Sequence, residues 1–106
     1  HLETSGVDPI SGNPDWITLS PKRHAPPRKE ILATCQELKV IIHEDEDIYF
    51  AEQMSKLIEE SQSQEIVYYL QAGWNSQRGK ELSYEYVKRN QKWRLSVQMH
   101  KWLEIL

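Results

Sequence analysis

The sequence predicts an α/β fold of about five strands and three helices, with the strands parallel. Two observations carry this. Stretches whose apolar residues recur at every second position alternate with stretches whose apolar residues recur every third or fourth. The resulting order is strand, loop, strand, helix, strand, helix, strand, helix, strand. Strands separated by helices are most simply parallel, joined by right-handed crossovers.

At 106 residues the chain is one domain or part of one. Its formal net charge of -3 gives no general attraction to nucleic acid or to an anionic membrane. No apolar run approaches the roughly 20 residues that span a bilayer, and no signal segment opens the chain. Cys35 is the sole cysteine, which excludes an internal disulfide and a cysteine-rich metal site. Its neighbours Ile31 and Leu32 place it on a helix face, as buried filler before nucleophile. The expected location is cytoplasmic.

The first strand is read at His1-Leu2-Glu3-Thr4, opening as if in mid-strand, and dense turn signals follow at Asp8-Pro9, Ser11-Gly12 and Asn13-Pro14. A second strand covers 16–20. Pro21 stops its ladder, and Lys22-Arg23-His24 with Pro26-Pro27 makes a stiff basic loop. A helix starts near Arg28, with Ile31, Leu32, Cys35 and Leu38 on its apolar face. The third strand, 38–43, is nearly continuous in apolar residues at its centre, as where both sheet faces are covered.

Glu44-Asp45-Glu46-Asp47 is an acidic cluster suited to capping the next helix, and a divalent-cation site is the alternative. That helix covers about 46–60, with Ile48, Phe50, Ala51, Met54, Leu57 and Ile58 inward. A fourth strand, 66–71, runs into Gly73, which permits a turn or a close approach. A helix over about 79–90 turns Leu82, Tyr86 and Val87 to one side. In the last strand Trp93, Leu95 and Val97 alternate with Arg94, Ser96 and Gln98.

In parallel sheets chemistry collects at the carboxyl ends of the strands. Those ends carry Glu3-Thr4-Ser5, Ser20-Pro21-Lys22, His43, Gln71 and Gln98-His100-Lys101. This is recognition chemistry rather than catalytic machinery. Glu3 can accept from ribose hydroxyls, Gln71 can donate and accept, and Lys22 can meet a carboxylate. His100 can orient a polar heterocycle or carry a proton, or simply be a satisfied loop histidine. Leu106 adds a terminal carboxylate if the tail folds inward.

Glu3-Thr4-Ser5-Gly6, Leu19-Ser20-Pro21-Lys22, Glu37-Leu38-Lys39-Val40-Ile41, Tyr69-Leu70-Gln71 and the run from Trp93 to Lys101 resemble, in order and spacing, the 7-carboxy-7-deazaguanine synthase family. The Arg94-Leu95-Ser96-x-Gln98-x-His100-Lys101 block is the most specific part. The resemblance implies that residues 1–106 are the C-terminal half of a radical S-adenosylmethionine (SAM) enzyme. Its fold would be a parallel-stranded partial (β/α) barrel fragment.

It further implies a [4Fe–4S] cluster, SAM and Mg²⁺ as cofactors, and usually a homodimer. The implied reaction is the radical ring contraction of 6-carboxy-5,6,7,8-tetrahydropterin to 7-carboxy-7-deazaguanine in queuosine and other 7-deazapurine biosynthesis. By motif, Ser20, Pro21, Lys22 and Gln71 match SAM-contacting positions, with Glu3 a weaker match. His100 and the Leu106 carboxylate match the substrate side.

The family's amino-terminal half, with its three-cysteine motif and Mg²⁺-contacting threonine, has no counterpart in these residues, and Glu104 stands where the family often has glycine. The expectation is an enzyme half that is inert alone, whose exposed first strand promotes association and which needs the missing half as a partner. The alternative is a non-catalytic α/β binding module derived from the half-barrel.

Overall fold

The structure, a computed structural model, describes residues 1–96. Five strands form one sheet in sequential order: β1 (Leu2–Thr4), β2 (Ile17–Leu19), β3 (Glu37–Ile42), β4 (Val67–Ala72) and β5 (Trp93–Leu95). Every neighbouring pair is parallel, so all carboxyl ends point the same way. Three helices complete the α/β fold: α1 (Lys29–Leu32), α2 (Asp45–Ser61) and α3 (Gln77–Arg89).

One row of partners, Thr4, Leu19, Leu38, Tyr68 and Trp93, crosses the sheet and fixes its register. β1 and β2 end near this row, whereas β3 and β4 run four residues further. β1 is an edge strand, as expected.

Period two is strict in β3. Leu38, Val40 and Ile42 are buried, while Glu37, Lys39 and Ile41 are half-buried. Both faces are expected to be covered; among the described residues the helices cover only one, and the other is half-buried. Ile31 and Leu32 of α1, Ala51, Met54 and Ile58 of α2, and Leu82, Tyr86 and Val87 of α3 all join the single cluster built on Leu38, Val40, Ile42 and Leu70. Each fully buried leucine or isoleucine there contributes about 2 kcal/mol of hydrophobic stabilisation. The opposite face, free of helices among the described residues, carries Glu3, Thr18, Glu37, Lys39, Tyr69, Gln71 and Arg94. Ile41 and Val67 are the apolar residues of that otherwise polar face.

α1 is a single turn. Pro26 and Pro27 hold the chain extended before it, and Ala33 closes it. Cys35 therefore lies beyond the helix, yet it is buried, and Gln62 Nε2 donates to the carbonyls of Leu32 and Cys35 at 3.0 Å. Burial pushes its thiol up to about 11. At pH 8 the folded protein should resist iodoacetamide, and alkylation should track unfolding by urea. Rapid alkylation of the folded chain would contradict this placement.

α2 starts as its acids predict: Glu44 and Asp47 form a reciprocal capping box. Leu57 does not point inward; it is 37% exposed, and the buried positions of the last turns are Met54, Ser55 and Ile58. Further along α2, Glu52 ties α3 and β5 down by accepting from Tyr86 Oη at 2.6 Å and Trp93 Nε1 at 3.0 Å. Burial, with the Glu52 carboxylate beside it, pushes the Tyr86 phenol far above its ordinary range.

Ser83 of α3 is buried and its hydroxyl has no partner among the described residues. Ser83→Ala should stabilise the protein by about 1 kcal/mol, since it removes an unpaired buried hydroxyl and adds a better helix former. Urea denaturation gives the number; a clear loss would mean that the hydroxyl is paired.

Candidate functional site at the carboxyl ends of the strands

The chain leaving β2 is fixed first. Ser20 N donates to the Thr4 carbonyl at 2.8 Å, and Ala25 N returns to the Lys22 carbonyl at 3.2 Å, so Pro21 to His24 make a tight excursion. Arg23 locks this loop to the start of α2. Its guanidinium meets Glu44 Oε1 at 2.6 Å and Asp47 Oδ1 at 3.2 Å. The Glu44 hydrogen bond holds the Arg23 pKa above its usual value.

Asp47, 7% exposed, spends its other oxygen on the backbone N–H groups of His43 at 2.8 Å and Glu44 at 3.1 Å. Glu44 and Asp47 are thus engaged by capping and by Arg23, and Asp45 meets Arg78 Nη2 at 3.1 Å. Among the described residues no group of three His, Cys, Asp or Glu is placed to hold a metal ion.

Between the loop and α2 lies a cleft of about 580 Å³. Pro21 and Lys22 wall one side, His43, Asp47 and Phe50 the other, and Val40 and Ile41 form its base. The His43 ring occupies the space that a side chain at position 73 would need, which is why Gly73 follows β4.

Ile41 is also the register partner of Gln71. On the far side of Gln71, Ser96 N donates to the Leu70 carbonyl at 2.9 Å, and Ser96 Oγ donates to Gln71 Oε1 at 3.1 Å. Ile41, Gln71 and Ser96 thus follow one another across the strands along one lip, and Lys22 shares the cleft with Ile41.

The sequence-derived candidates divide as follows. Lys22 and Gln71 flank Ile41, and Pro21 lines the same cleft. Ser20 is buried and does not line the cleft. Glu3 stands apart. It is level with Thr18 and Glu37, four residues before Ile41 in register, or roughly 13 Å down the strand direction. Its carboxylate is taken by Lys39 Nζ at 2.8 Å, which reaches across β2. His100 and Leu106 lie outside the described residues.

Sequence reasoning missed Lys39, Arg23 and Ser96. Glu37 and Lys39 at alternate positions of a strand are a legible sign of an open polar face. Glu44, the nearer in sequence of the two partners of Arg23, is 21 residues away, and no local pattern announces it.

No protein-family model matches the chain. Among curated proteins, a 7-carboxy-7-deazaguanine synthase of Prochlorococcus marinus is 50% identical over 118 aligned residues, covering 100% of this chain and 52% of that protein. A 7-carboxy-7-deazaguanine synthase of Synechocystis sp. is 44% identical over 105 residues, covering 99% of the chain and 49% of the relative. The backbone superposes on the crystal structure of QueE from Escherichia coli with a TM-score of 0.70 and 26% identity, over 91% of this chain and 42% of that one. The chain spans about half the length of the curated relatives it matches. In sequence over its whole length, and in backbone over 91% of it, this chain is thus similar to about half of a 7-carboxy-7-deazaguanine synthase.

Proposed function

We propose that these residues form the C-terminal, ligand-facing half of a radical SAM lyase, a 7-carboxy-7-deazaguanine synthase. In that role the sheet is part of an incomplete (β/α) barrel, and its open polar face looks inward. The observation that carries the proposal is 50% identity to such a synthase over the entire chain. The substrate is 6-carboxy-5,6,7,8-tetrahydropterin, the setting is queuosine or related 7-deazapurine biosynthesis in the cytoplasm, and the whole enzyme is a homodimer.

The residues at the lip suit SAM. Its aminoacyl carboxylate matches the ammonium of Lys22, its base and ribose present acceptors to the Gln71 amide, and its hydroxyls can donate to a carboxylate. Ser20 and Pro21 hold the loop that presents Lys22. Glu3 keeps one oxygen beyond the Lys39 ion pair. SAM, when bound in the complete enzyme, supplies the radical that starts the ring contraction. His100 and Leu106, which lie outside the described residues, are proposed for the pterin side.

The remaining cofactors do not fit here. A [4Fe–4S] cluster takes three thiolates and the chain has one cysteine, buried and held as the thiol. The described residues likewise offer no Mg²⁺ cage. Cluster and Mg²⁺ belong to another segment, and these 106 residues alone turn nothing over. The single cysteine also favours a second possibility, a non-catalytic binding module.

The two readings separate on one experiment. The chain is combined with the portion of the Prochlorococcus marinus synthase that it does not match, and iron is reconstituted anaerobically. Cleavage of SAM in the mixture, and in neither half alone, supports the enzyme half. No cleavage by a mixture that does assemble the cluster supports the module.

A further inference from the structure

We infer that Ser96 is a positioning residue that sets which way the Gln71 side-chain amide faces, and so makes this position of the site a reader of hydrogen-bond acceptors. The inference rests on the assignment of Gln71 to the SAM side of the site.

Gln71 is held on both flanks. Its backbone is paired with Ile41 on one side, and the β4–β5 ladder continues past Leu95 through the bond from Ser96 N to the Leu70 carbonyl. That bond puts the Ser96 side chain on the same face as Gln71 and level with it. The hydroxyl then donates to Oε1 at 3.1 Å. A glutamine amide has one acceptor end and one donor end. In the observed arrangement the hydroxyl is the donor and Oε1 is engaged, so among the described residues Nε2 with its two N–H groups is the end left for a ligand. The ligand atom that meets Gln71 must then be an acceptor, such as a ring nitrogen, a ribose oxygen or a carboxylate.

Without the hydroxyl this hydrogen bond no longer favours one end of the amide over the other. Both side chains are half-buried, so the loss is not fully replaced by water. Threonine keeps a hydroxyl at the same place, whereas alanine removes it.

The test is the equilibrium affinity for SAM, by titration calorimetry, of the chain assembled with the complementary half of the synthase. Gln71→Leu should weaken binding about 10-fold or more, and Ser96→Ala about 3- to 10-fold, the range of one neutral hydrogen bond. Ser96→Thr should stay within about twofold of the parent, which a merely packing-related role for the alanine change would not guarantee. Gln71→Glu, which presents an acceptor where a donor is needed, should bind at least as poorly as Gln71→Leu.

A Gln71→Glu protein that binds as well as the parent would overturn the orientation. Weak binding by Gln71→Leu with parental binding by Ser96→Ala would overturn the role of Ser96 alone. Parental binding by Gln71→Leu would overturn the assignment of Gln71 and this inference with it.

Discussion

Gly79→Ala should destabilise the protein by about 3 kcal/mol, although glycine to alanine in a helix ordinarily gains about 1 kcal/mol. The sign reverses because of what lies beneath the helix. A methyl group at Gly79 would run into the carbonyl oxygen of Ile42 and come within 2.8 Å of Ser76 Oγ. The first of these is backbone at the end of β3 and has no rotamer to move. The second caps the helix by accepting from Gly79 N at 2.9 Å. Relief requires α3 to lift from the sheet, which would open the contacts that Leu82, Tyr86 and Val87 make with the core. Chemical denaturation of Gly79→Ala against Ser83→Ala, on the same helix, would show opposite signs. A stabilised Gly79→Ala protein would mean that α3 does not approach β3 this closely.

Asp47→Ala is expected to cost about 3 kcal/mol and to release the loop that carries Lys22. The carboxylate is buried and has three partners, the N–H groups of His43 and Glu44 and the guanidinium of Arg23. Alanine would leave two backbone donors unpaired at a helix start and strand Arg23 with the exposed Glu44 alone. Asp47→Asn keeps an acceptor for the backbone and loses the charge, so it should cost about half as much. Hydrogen exchange at His43 and Glu44 should quicken in the alanine protein and much less in the asparagine protein. Equal losses in both would place the energy in the ion pair rather than in the cap.

Strand and helix order was legible because period two and period 3.6 are local signals. α2, α3 and β4 fall within two residues of where the pattern puts them. The errors have tertiary causes. Val40-Ile41-Ile42 looks like a strand buried on both faces, yet Glu37 and Lys39 mark the face that no described helix covers. Leu57 fits the apolar stripe of α2 on spacing alone, but α2 rests on β3 along Ala51, Met54 and Ile58, and Leu57 falls off the edge. α1 starts where the pattern puts it but ends at Leu32, because the chain turns at Ala33 and enters β3 at Glu37.

At the site, the polarity of the strand ends was readable in the sequence. The bonds from Arg23 to Asp47, from Lys39 to Glu3 and from Ser96 to Gln71 were not. Each joins elements far apart in the chain, and the register that brings them together is set by the whole sheet.

The central claim is that the lip running from Lys22 across Ile41 to Gln71 and Ser96 receives SAM. Titration of the ¹⁵N-labelled chain with millimolar SAM, followed by NMR, tests it most directly. Saturable shifts should appear at Lys22, Ile41, the Gln71 side-chain amide and Ser96, with Tyr49 and Tyr84 on the outer helix faces unmoved. Shifts confined to those outer faces, or none at the lip, would contradict it.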